Sequence, residues 1–137
     1  MKLTFLAHFV ICLACAAFAF FAWTRGIPQM VWENGAAGWF GAIVAILVLA
    51  AAVWLGRQAW REEHDASFGR LVELLCPAVG MLGTVVGLSE AFAHVGDQMA
   101  MIRQGHTAFY STGSGIVGMI VVMVMVYSLE RGAKMSA

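Results

Sequence analysis

The sequence predicts an all-α integral membrane protein, a single membrane domain over residues 1–137 built as a four-helix bundle. Two observations predict it. Of 137 residues, 61% are hydrophobic and only 12% are charged, and mean hydropathy is +0.82. A water-soluble fold this short leaves too much of its area exposed to hide that apolar surface. The apolar residues also gather into four runs, residues 3–23, 38–56, 71–92 and 109–129. Each is close to the roughly 20 residues that a helix rising about 1.5 Å per residue needs to cross a hydrocarbon core about 30 Å thick.

The first run follows Lys2 and resembles a secretion signal at first sight. Its length exceeds the roughly 7–15 apolar residues of a signal's hydrophobic region, so it is read as a retained membrane anchor. Cys12 and Cys15 inside it have a redox-like spacing but no polar neighbours to activate a thiol; they and Cys76 are read as packing residues. The second run is expected to continue as helix for a turn or two past residue 56, then break near residues 65–69, with Asp65 or Ser67 capping the next helix. The connection over residues 57–70 is too short to form a domain. Its Glu62, Glu63 and His64 are read as a solvated face, with too few ligands for a metal. Residues 93–111, with His94, Asp97, Arg103 and His106, are read as a polar outer connection.

Charge gives an orientation. With the amino terminus in the cytoplasm, Lys2, Arg57, Arg61, Arg70, Arg131 and Lys134 fall inside and only Arg25 and Arg103 outside, which satisfies the positive-inside rule and puts both termini in the cytoplasm. Trp23, Trp32, Trp39, Trp54 and Trp60 sit at or near span ends, where an indole anchors among head groups. A net charge of +0 and a pI of about 6.9 point away from nucleic-acid binding. No cofactor site is legible. No nucleophile and base, and no metal cluster, can be assembled at a workable spacing, so the chain is not read as an enzyme.

The third run carries PAVGMLGTVVGL over residues 77–88. Gly80, Gly83 and Gly87 put small residues on adjoining faces, a helix surface made for close approach to another helix. Thr84 shares that stripe near mid-membrane, and Pro77 removes a backbone donor early in the helix. The fourth run opens with STGSGI over residues 111–116 and closes on methionine and valine. Its outer half, with Thr112, Gly115 and Gly118, suits a tight polar seam; its inner half suits volume filling. Thr84, Ser111, Thr112 and Ser114 have a simpler reading as well, in which each hydroxyl bonds a carbonyl one turn back and eases packing.

Together the two stretches resemble the MotA/TolQ/ExbB proton-channel family, and TolQ and ExbB most closely. PAVGMLGTVVGL is similar to the proline-led "LLGTVWGI" helix of TolQ and ExbB, and STGSGI to the "ATAIGL" opening of their last helix. The resemblance runs from Pro77 to about Tyr127. It implies a homopentamer around a central pore lined by these helices, with Thr84 and Thr112 on the ion pathway and Pro77, Gly80, Gly83, Gly87, Gly115 and Gly118 packing the ring. It further implies a single-span partner of the ExbD, TolR or MotB kind, whose membrane aspartate carries the proton, in a bacterial inner-membrane machine for energy transduction.

The residues agree on one point. The carboxylates within the predicted spans, Glu73 and Glu90, lie near opposite ends of the third helix, and a threonine hydroxyl orients a proton carrier without titrating itself. Two departures from the family stand out. There is almost no cytoplasmic domain, which argues against a flagellar stator. The acid that ExbB carries just over one turn before its last-helix threonine is replaced here by Thr107 beside His106, so His106 becomes a possible gate. The alternative is a small pore-forming or lysis-associated protein, or a non-conducting structural subunit of a membrane assembly. A neighbouring gene for a single-span protein with an aspartate early in its span would separate the readings.

Overall fold

The structure is a computed structural model and describes residues 3–26, 29, 36–61, 63 and 65–136. Among these residues the regular structure consists of helices α1 (Leu3–Thr24), α2 (Ala36–Arg61), α3 (Ser67–Ala93) and α4 (Gln98–Ser136). Three stretches, Trp39–Arg61, Ser67–Ala93 and Gln98–Gly132, are long and apolar enough to cross a membrane; α1 is apolar over the shorter stretch Phe5–Phe21. Trp32, Glu62 and His64 lie outside the described residues. Trp23, Trp39, Trp54 and Trp60 are all exposed on the helices that carry them.

Antiparallel α3 and α4 make the most extensive pairing, α2 packs on both, and α1 lies more lightly against α2 and α4. At the end that holds the α2–α3 turn, large side chains fill the space between three helices. Leu55 of α2, Val72 and Cys76 of α3, and Val122, Met125 and Leu129 of α4 form one buried cluster. The turn itself is tied by Asp65, whose carboxylate accepts the Ser67 amide at 2.9 Å, although Ala66 stands at the cap position. Hydrogen bonds from the Ser67 side chain and then its backbone hold the Asp65 carboxyl below its ordinary range. Across the same end, the Arg70 guanidinium bridges to Glu130. Both groups are substantially exposed, so this clasp contributes little to stability.

The expected polar connection over residues 93–111 needs correction. Only His94–Asp97 separates the helices, and α4 runs for 39 residues, about 58 Å at 1.5 Å per residue, well past the predicted 109–129 span. Asp97 is the physical cause: its Oδ1 accepts the amides of Met99 and Ala100 at 3.0 and 3.1 Å, satisfying two of the donors that a helix start leaves open. Gln98, Met99, Ala100, Met101 and Arg103 are strong helix formers, so the nucleated turn propagates into the apolar run. His94 instead ends α3, its Nδ1 bonding the Glu90 carbonyl oxygen at 2.8 Å.

Among the described residues, a polar contact between His8 and α2 ties α1 to the bundle. His8 is buried, and its Nε2 lies 2.9 Å from the Ala52 carbonyl of α2. A ring N–H donated to that carbonyl satisfies a polar side chain that would otherwise be costly among apolar neighbours.

Candidate functional site

The glycine stripes of α3 and α4 meet each other inside one protomer. A Cβ built on Gly115 would stand 2.7 Å from the Cys76 carbonyl oxygen and 3.0 Å from the Gly80 Cα; one on Gly80 would stand 2.9 Å from the Ser111 carbonyl oxygen. These are backbone-to-backbone approaches, which no side chain can relieve by changing rotamer. Gly83 is closed by Ser111 and by Phe40 of α2, Gly87 by Ala108, and Gly118 by Val44 and Val48 of α2. Pro77 lies inside α3, next to the Cys76 carbonyl that Gly115 approaches.

Such closeness puts hydroxyls within reach of the facing backbone. Buried Ser111 donates to the Gly80 carbonyl at 2.9 Å, a bond between helices. Thr84 Oγ1 lies 3.1 Å from the carbonyl oxygens of both Gly80, one turn back, and Ala108, on α4. It is also hydrogen-bonded to Thr112 Oγ1. A hydroxyl has one proton and two acceptor sites. The consistent arrangement therefore has Thr112 donating to Thr84, and Thr84 donating to Gly80 or Ala108. The half-buried threonine pair, 28 residues apart in sequence, forms a short polar chain across the seam. It can orient or pass a proton but has no titrating member.

His106 stands apart from this pair. It is exposed on the N-terminal part of α4, in a T-shaped contact with Tyr110 at a centroid distance of 4.9 Å. Its neighbour Thr107 faces inward instead, 2% exposed and donating to the Arg103 carbonyl at 3.0 Å.

Two buried acceptors lie at the end of the seam that holds the α3–α4 turn: the sequence marked Glu90 only as a carboxylate near a helix end, and it did not mark Gln104 at all. Glu90 Oε2 and Gln104 Oε1 have no hydrogen-bond partner among the described residues. Gly80 faces Gly115 and Gly87 faces Ala108, so the same register carried one turn further sets Glu90 level with Gln104. The signal in the sequence was their periodicity: Glu90 continues the stripe of Gly83 and Gly87, and Gln104 that of Ala108 and Ser111. Glu90→Gln supplies N–H donors at this level, and is expected to raise the unfolding free energy in detergent by about 1 kcal/mol. A loss on thermal denaturation would mean that the carboxylate takes a donor from outside the protomer.

Comparison with known proteins places this geometry. No curated protein and no solved structure matches the chain. The family model described as the MotA/TolQ/ExbB proton channel family matches residues 57–136, which include all of α3 and α4, the threonine pair and the glycine seam. The match covers more than half of the sequence, and the chain belongs to the MotA/TolQ/ExbB proton channel family.

Proposed function

We propose that the chain is the channel-forming subunit of an ion-driven motor or energy-transducing complex in a bacterial inner membrane, with a single-span partner housed in its pore. Family membership supports the general role. The observation that carries the finer reading is the Thr84–Thr112 pair, a hydroxyl relay in the α3–α4 seam with no carboxylate at its level among the described residues. Glu73, Glu90 and Glu130 all lie toward helix ends. A relay of this kind needs a carrier that binds and releases the proton, and a membrane aspartate on an ExbD, TolR or MotB-like partner is the group that completes it. Protonation of that aspartate removes its charge and biases how the partner sits within the ring, which couples ion flow to movement.

In this reading five copies surround the pore, Thr84 and Thr112 face it, α1 serves as a fourth crossing, and both termini are cytoplasmic. Imaging of the purified complex provides the test. The expected result is a ring with a shared axis, the threonine-bearing faces toward that axis, and density for a second protein inside. Rings with both threonine faces against lipid, or particles with no axis at all, would remove the motor reading.

A further inference from the structure

A groove of about 770 Å³ runs between α1 and α2, away from the threonine seam. Phe9 and Cys12 line it from α1, and Leu49 and Val53 from α2, before it ends at Arg57 and Arg61. From Leu49 to Arg61 the helix rises about 18 Å, slightly more than half of a hydrocarbon core about 30 Å thick. The groove therefore matches one leaflet, apolar along its length and cationic at the end where a head group sits. Arg57 and Arg61 are four residues apart, so both project from one face of α2. Among the described residues neither guanidinium is paired with a carboxylate.

We infer that this groove binds a phospholipid with an anionic head group, one acyl chain lying along Leu49 and Val53 and the phosphate held between Arg57 and Arg61. Gly56 keeps the floor open, because a Cβ there would already stand 3.2 Å from the His8 ring. The His8 contact pairs its Nε2 with the Ala52 carbonyl, and Phe9, Cys12, Leu49 and Val53 give the chain an apolar surface. A guanidinium fork matches phosphate oxygens bidentately, and basic pockets between membrane helices favour anionic head groups. Covering the groove with an apolar protein helix would bury two cations that have no carboxylate partner among the described residues, whereas a lipid phosphate brings a counter-charge with it.

The test is independent of any pore. The full chain, purified in detergent, is analysed by native mass spectrometry with phosphatidylglycerol and phosphatidylcholine of identical acyl chains. Phosphatidylglycerol is expected to be retained on the order of tenfold better. Arg57→Gln with Arg61→Gln should abolish that preference, Arg57→Lys with Arg61→Lys should keep part of it, and Leu49→Trp should lower retention of both lipids by filling the groove. Equal retention of the two lipids by the unmodified protein would overturn the inference. So would an undiminished preference in the double glutamine variant, complete displacement by glycerol phosphate, or cross-linking of two chains through Val53→Cys. If the glutamine variant does not fold, the lipid comparison on the unmodified protein and the tryptophan variant still decide the matter.

Discussion

Gly115→Val is expected to unfold the α3–α4 hairpin, at a cost of about 3 kcal/mol or more. The position tolerates no Cβ, because the nearest atoms are the Cys76 carbonyl oxygen at 2.7 Å and the Gly80 Cα at 3.0 Å, both backbone. Relief requires the helices to separate. Separation lengthens the Ser111 bond to the Gly80 carbonyl and the Thr84 bond to the Ala108 carbonyl, so packing and polar contacts are lost together. Gly113→Val, two residues away where a Cβ meets nothing within 4 Å, is the control and should shift stability by no more than about 0.5 kcal/mol. Unfolding of both variants in the same detergent provides the comparison. Equal stability would mean that the two backbones do not approach as described.

Thr84→Val is expected to separate function from fold. Valine keeps the branched shape and removes the hydroxyl that joins Thr112 to the carbonyls of Gly80 and Ala108. The Thr112 hydroxyl then rotates to its own Ala108 carbonyl, one turn back, so stability should fall by only about 0.6 kcal/mol, and by no more than roughly 1.7. Proton flux into vesicles reconstituted with the chain and the single-span partner proposed above should drop to the level of protein-free vesicles. Unchanged flux would leave the hydroxyls with a packing role alone. A collapse in stability would show that the pair is structural before it is anything else.

How much of this was legible in the sequence depends on whether a feature is written along the chain or across it. The helices were legible because about 20 apolar residues in a row have few other solutions. The glycine face of α3 was legible from the spacing of Gly80, Gly83 and Gly87. The first ten residues of α4 were not: Gln98, Arg103 and Gln104 interleave with Met99, Met101 and Ile102, and that mixture hides a helix whose start is fixed by Asp97. His8 was the one histidine in an apolar run, but its partner is a backbone carbonyl 44 residues away, and no side-chain pattern marks a carbonyl. The levelling of Glu90 with Gln104 required the register between two helices, which depends on the close approach of Gly80 to Gly115. The expected five-fold ring came from likeness to a family and from no residue pattern.

On the reverse of its smooth glycine face, α3 carries a ridge of bulky side chains. Leu74, Met81, Val85 and Phe92 are each about two-thirds exposed, spaced by seven, four and seven residues. Lipid tails are as apolar as leucine, so neighbours gathering on this ridge release no water and gain only by fit. Detergent tails then compete for the ridge on nearly equal terms with protein. If the chain forms the proposed ring, the number of copies recovered together will follow the solubilising agent, and agents that preserve a patch of native bilayer will return the largest assemblies.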